Sequence, residues 1–72
     1  MFSTDSKIRL IAKYEIGNQG RIESRTIKEK INQSGLVYGG VTTQKVQKII
    51  KTAKKDGHRL YDYKDGKWQY RS

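Results

Sequence analysis

The stretch Arg59-Leu60-Tyr61-Asp62-Tyr63-Lys64-Asp65-Gly66-Lys67-Trp68-Gln69-Tyr70-Arg71 decides the fold. Apolar and polar residues alternate through it, the period of an extended strand, and Asp65-Gly66 interrupts the alternation. Asp-Gly suits a two-residue hairpin turn, because both central positions of that turn need a positive φ. The register follows from the face each ring would take. With a two-residue turn, Lys64 opposes Lys67, Tyr63 opposes Trp68, Asp62 opposes Gln69 and Tyr61 opposes Tyr70, so all four rings share one face. A three-residue loop with a bulge sets Trp68 opposite Asp62 and scatters the rings, so the first register is expected. Asp62, Lys64, Lys67, Gln69 and Arg71 then share the other face. Lys64 and Lys67 repel at the tip, a local cost that an incoming phosphate would relieve.

Upstream the period becomes helical. Over residues 41–57, at about 100° per residue, Val46, Ile49, Ile50 and Ala53 fall on one side, while Gln44, Lys48, Lys51 and Lys55 line the other. Val41 followed by Thr42 reads as an entry, with the hydroxyl as cap, and Gly57 as a left-handed stop after a basic last turn. No acid interrupts the polar face before Asp56. Glutamine can read base edges with a donor and an acceptor together, and lysine neutralises phosphate, so the stripe carries both kinds of contact that duplex recognition needs. The competing reading is a solvated surface.

Nearer the N-terminus, capping candidates Ser3, Thr4, Asp5 and Ser6 open a first helix over about residues 4–16. Ile8, Ile11 and Ala12 share its buried face, and Leu10 and Tyr14 widen it. Gly17-Asn18-Gln19-Gly20 is expected to end it, and Arg21-Ile22-Glu23 offers a short strand. Ser24 reads as the cap of a second helix over about residues 25–33, with Ile27 and Ile31 inward and Ser34-Gly35 at its end. The link Leu36-Val37-Tyr38-Gly39-Gly40 is longer than a tight helix-turn-helix turn and partly apolar. It either folds over the core or reaches toward a partner.

Composition bounds the possibilities. Seventy-two residues make one small domain, expected to span residues 1–72, with no room for a deep enzyme cleft. Cysteine is absent and histidine occurs once, which excludes a disulfide framework, a cysteine-based zinc site and a thiol nucleophile. The apolar runs are short and broken by charge, and Met-Phe-Ser-Thr-Asp-Ser-Lys lacks a basic leader and an apolar signal core, so a soluble, non-secreted, cytoplasmic protein is expected, without membrane contact. The net charge is +9 at a pI near 10.0. Residues 1–40 carry seven bases and four acids, net +3, and residues 41–72 carry nine bases and three acids, net +6. Nucleic acid is the default partner of such a density, with the C-terminal half as contact surface, although ribosomal, membrane-surface and acidic-protein partners also suit the sign.

Catalysis has almost no support. His58 has no orienting neighbour and reads as a turn or surface residue, while Glu15, Glu23 and Glu29 are scattered as surface charge or helix partners. Gly39-Gly40 lacks the lysine and hydroxyl of a nucleotide phosphate loop. No enzyme activity, cofactor or metal is expected.

The order helix, short strand, helix, helix, hairpin, with a basic last helix and a basic hairpin tip, resembles the winged helix-turn-helix family of DNA-binding domains. The resemblance covers roughly residues 4–71, lies in the order and spacing of elements, and implies a small α+β fold of three helices, a short strand and a two-stranded wing over about residues 59–71. It implies that the third helix enters the major groove and that the wing touches flanking backbone or minor groove. By position, Gln44 and Lys48 become the base-contact candidates. Thr42 and Thr43 sit at the helix start, Thr42 chiefly as cap, while Gln47 and Lys45 flank the stripe. Lys51 and Lys55 continue it toward phosphate, and Lys64, Lys67 and Arg71 supply backbone contacts from the wing. Arg21 and Arg25, around the short strand and the start of the second helix, are further phosphate candidates.

Two departures stand out: the long link between second and third helices, and an unusually aromatic wing. Tyr61, Tyr63, Trp68 and Tyr70 either close the core, each burying about 150 to 250 Å², or stand exposed as stacking platforms for unpaired bases. The expected function is sequence-specific double-stranded DNA binding, as a small transcriptional regulator or an accessory factor in replication, partition or recombination. It suits a nucleoid-associated protein of the phage or plasmid accessory kind. A single such domain offers a small interface, so a homodimer on an inverted repeat or a cooperative oligomer is expected. The alternatives are a basic RNA-binding module using the wing's rings and a winged domain that docks a protein partner.

Overall fold

The aromatic hairpin forms in the register its rings favour. The computed structural model of the protein describes residues 3–71. In chain order its elements are α1 (Thr4–Gln19), α2 (Ser24–Ser34), α3 (Thr43–Thr52), β1 (Lys54–Lys55), β2 (His58–Arg59), β3 (Tyr61–Lys64) and β4 (Lys67–Tyr70). The result is a small α+β arrangement of three helices and two antiparallel two-stranded sheets, β1–β2 and β3–β4, compatible with a winged helix. Across β3–β4, Tyr61 pairs with Tyr70, Asp62 with Gln69, Tyr63 with Trp68 and Lys64 with Lys67. Asp65 and Gly66 both take positive φ, 54° and 77°, as the two-residue turn requires. The expected short strand is a single bridge: Trp68 N–H donates to Ile22 O at 2.7 Å, and Ile22 N–H to Trp68 O at 3.0 Å.

One face of each helix supplies the core. Ile8 and Ile16 of α1, Ile27 and Ile31 of α2, and Val46 and Ile50 of α3 are fully buried, and Tyr61 and Trp68 close the assembly from the hairpin. Only two of the four rings therefore serve the core. Tyr70 remains 39% exposed and Tyr63 53% exposed, each packed on a buried neighbour: Tyr70 on Tyr61 at 5.4 Å between centroids, Tyr63 on Trp68 at 4.6 Å. The buried face of α1 is narrower than its sequence implies. Leu10 and Tyr14 do not widen it but face solvent, whereas Glu15, expected at the surface, is mostly buried beside Ile16. No fully buried side-chain polar atom lacks a partner among the described residues, and the Glu15 carboxylate, which is in no ion pair there, keeps its oxygens at the solvent edge.

The helix boundaries differ from expectation for identifiable reasons. Ser3 caps α1, accepting from Ser6 N–H at 3.1 Å, but the helix continues through Gly17 to Gln19 and is stopped by Gly20 at φ 81°. A helical glycine costs about 1 kcal/mol relative to alanine. Here the Tyr70 ring lies over it, with the hydroxyl 3.4 Å from where a Cβ would stand and donating to Lys13 O at 3.1 Å. Ser24 is not the cap of α2. Glu23 holds that position without a side-chain bond, and Ser24 is buried inside the first turn, where its Oγ accepts from the Trp68 indole.

The largest correction concerns α3, which ends at Thr52 rather than Asp56. The Thr52 hydroxyl donates to Lys48 O at 2.9 Å, and Ala53 follows in extended conformation. Gly57 is therefore not a helix stop. With Asp56 at φ 55° and Gly57 at φ 80°, it makes a second Asp-Gly turn, pairing Lys54 with Arg59 and Lys55 with His58. Leu60 N–H to Ala53 O at 3.1 Å continues that pairing inward.

The α2–α3 link folds over the core through one residue. Val37 is buried, while Leu36 and Tyr38 stand in solvent. Asn32 pins the end of the link like a strand neighbour, accepting from Val41 N–H at 2.8 Å and donating to Val41 O at 3.2 Å. No helix among the described residues is long and apolar enough to cross a membrane.

Candidate nucleic-acid interface

The polar face of α3 is set by its own cap. Thr42 Oγ1 accepts from Lys45 N–H at 3.2 Å, so this hydroxyl fixes the first turn, and Thr43 is half-buried behind it. With Val46, Ile49 and Ile50 turned into the core, Gln44, Gln47, Lys48 and Lys51 are all exposed on the remaining surface. None of these lysines is in an ion pair among the described residues. Lys45, on the flank, reaches Asp5 at the start of α1 with Nζ to Oδ1 at 3.2 Å. Both side chains are nearly half exposed, so the pair contributes under about 1 kcal/mol.

Other candidates have different surroundings from those their positions implied. Lys55 leaves the helix with the early end of α3 and joins the β1–β2 hairpin instead. Arg21 is turned toward the hairpin tip, its guanidinium donating to Lys64 O at 3.3 Å and reaching Asp65 Oδ2 at 3.5 Å. That contact braces the turn across more than forty residues of chain and leaves Arg21 a poorer phosphate ligand. Arg25 lies 3.8 Å from Glu29 in a solvated pair one helical turn apart, which leaves its charge largely available. Lys64 and Lys67 face each other at the tip, both exposed, and Arg71 is exposed where its N–H closes on Leu60 O at 3.1 Å.

Three residues of this surface were not read as contacts in the sequence: Lys54, His58, taken as a turn or surface residue, and Arg59, placed in the wing. All are exposed on the β1–β2 hairpin, directly after α3. The signal was Asp56-Gly57, the same dipeptide that turns β3–β4, but the lysines before it fit a basic last helical turn equally well. The stripe of α3 thus runs into one basic hairpin and is flanked by the basic tip of a second. Between α3 and β3–β4 lies a cleft of about 490 Å³ bordered by Gln47, Lys51, Arg59 and Tyr63. Asp62 is the one acid in that lining and is in no ion pair among the described residues; the cations in excess of it repel one another, and a polyanion relieves that repulsion while releasing its own counterions.

One ionisable group in the core is perturbed. Burial, reinforced by Tyr70 beside it, pushes the Tyr61 phenol from 10.0 up to about 12, so it is neutral at physiological pH. No cluster of three or more histidine, aspartate or glutamate side chains suited to a metal ion occurs among the described residues. Comparison of the chain with family models, with curated proteins and with solved structures finds no significant match.

Proposed function

We propose that this protein is a winged helix-turn-helix domain that binds double-stranded DNA with sequence preference, α3 entering the major groove and the β3–β4 tip resting on flanking backbone. The observation that carries the reading is the exposed face of α3, where two amides and two unpaired lysines stand together without an acid, Gln44 and Gln47 beside Lys48 and Lys51. Gln44 and Lys48 select the site. Thr42, Thr43 and Lys45 position the helix start, and Lys51, Lys55, Lys64, Lys67 and Arg71 neutralise phosphates, with Arg25 as a further contact and Arg21 acting chiefly by bracing the tip. The mechanism is occupancy, as a small transcriptional regulator or an accessory factor in replication, partition or recombination, associated with the nucleoid. Dimerisation or cooperative binding on repeated sites supplies specificity that one such interface lacks.

The RNA-platform reading is weakened at its main residue. Trp68 is 4% exposed, with its indole N–H bonded to Ser24, so it has no free face for a base. Neutralising Lys48, Lys51 and Lys55 together to glutamine tests the proposal. Loss of duplex binding by a folded variant supports it. Unchanged duplex affinity assigns these lysines to solvation and turns the search to a protein partner.

A further inference from the structure

We propose that the cleft between α3 and the β3–β4 hairpin is a site for an unpaired nucleobase, so that the protein prefers duplex DNA carrying a single-stranded extension; this rests on the duplex-binding reading above. The cleft holds about 490 Å³, within the range of roughly 300 to 1,000 Å³ typical of small-ligand sites. Tyr63 is the ring it offers. Its side chain is 53% exposed, yet it is held from behind by Trp68 at 4.6 Å between centroids, and Trp68 is in turn fixed by Ser24. An aromatic face that is already immobile loses little freedom when a base stacks on it.

The surroundings match the rest of a nucleotide. Lys51 from α3, Arg59 from β2 and Lys64 from β3 border the cleft, and none is in an ion pair among the described residues. They would follow the sugar-phosphate chain on either side of the stacked base. The Gln47 amide and the Asp62 carboxylate, also in the lining, are acceptors for the amino group of a base edge. Lys51 belongs at once to the stripe of α3 and to this cleft, so a strand leaving a bound duplex has a continuous cationic path into it. A base within a duplex cannot present its face to Tyr63. Only a nucleotide at an end, a gap or an unpaired extension can do so.

The test uses the full chain and three DNA probes of one duplex sequence: a covalently closed dumbbell without ends, a blunt duplex, and the duplex with a short thymidine extension. Binding is read by anisotropy of labelled DNA and by Trp68 emission. The extension should raise affinity by about fivefold or more over the dumbbell, in line with one stacked base, and should quench Trp68 through its contact with Tyr63. Tyr63→Ala should abolish that gain while leaving dumbbell affinity within about twofold, and Tyr63→Phe should keep it; dumbbell binding by the alanine variant reports that it is folded. Dumbbell binding with no gain from the extension, or with a gain that survives Tyr63→Ala, overturns the base site and leaves the duplex reading standing. Failure of the dumbbell and the blunt duplex to bind, with Tyr63-dependent binding of the extended duplex, supports the base site and overturns the duplex reading. Binding of none of the probes overturns both.

Discussion

The indole N–H of Trp68 donates to the Ser24 hydroxyl at 2.7 Å, joining the second strand of the aromatic hairpin to the first turn of α2 across forty-four residues of chain. Two backbone bonds between Trp68 and Ile22 lie beside it. Together they hold the hairpin to the helices at one buried point, so the position of the tip relative to α3 depends on a contact well inside the protein.

Ser24→Ala should therefore destabilise the protein by about 1 to 3 kcal/mol, because it strands a buried donor that water cannot reach. Urea unfolding followed by Trp68 emission measures it. A loss below about 0.5 kcal/mol, the size of an ordinary surface substitution, would mean that the hydrogen bond does not anchor the hairpin.

Alkaline pH should unfold the protein partly through Tyr61. Its phenol ionises near 10 in the unfolded chain and at about 12 in the folded one, so the folded state holds the proton more tightly. The resulting stability is fully present below pH 10, falls as pH rises from 10 through 12, and amounts to about 2 to 3 kcal/mol. Lysine deprotonation overlaps this window, so the comparison is with Tyr61→Phe. The variant should lose less stability than the parent between pH 9 and pH 12, and identical slopes would show that Tyr61 is not the group responsible.

Gly39 and Gly40 should tolerate alanine unequally. Both have positive φ, 80° and 77°, but a Cβ on Gly39 meets open space, whereas on Gly40 it would stand 2.9 Å from Asn32 Oδ1. Gly39→Ala should cost about 1 kcal/mol from backbone strain alone, and Gly40→Ala about 2 kcal/mol or more, since it also disturbs the Asn32–Val41 bridge. Thermal unfolding of the two variants checks the order, and equal losses would deny the bridge its role in fixing the entry to α3.

How much of this was legible in the sequence depended on whether a local signal had one meaning. The β3–β4 register was readable because Asp65-Gly66 gives a turn and four alternating rings give a parity, and no other register satisfies both. Gly17 and Asp56-Gly57 were ambiguous. Glycine serves as helix stop, helix interior or hairpin turn, and what decides is tertiary: the Tyr70 ring over Gly17, and the Leu60 to Ala53 bond that closes a second hairpin. The stripe on α3 was correctly placed as far as Lys51, because apolar spacing fixes which residues face outward. Beyond it, Lys55 changed element, and Lys54, His58 and Arg59 came to the surface with it. The contact of Arg21 with Lys64 and Asp65 joins residues too far apart in sequence for any local pattern to announce.

The central claim, that the α3 stripe engages duplex phosphates, is tested most directly by the salt dependence of binding to one duplex. The parent should show a linear fall of log affinity with log salt concentration, and Lys48→Gln with Lys51→Gln should shallow that slope by about 0.9 for each phosphate no longer neutralised. The same double substitution on α2, Lys28→Gln with Lys30→Gln, should leave the slope nearly unchanged. If both pairs reduce it equally, or if the α3 pair leaves it untouched, the positive charge acts without a defined face and α3 is not the element that meets DNA.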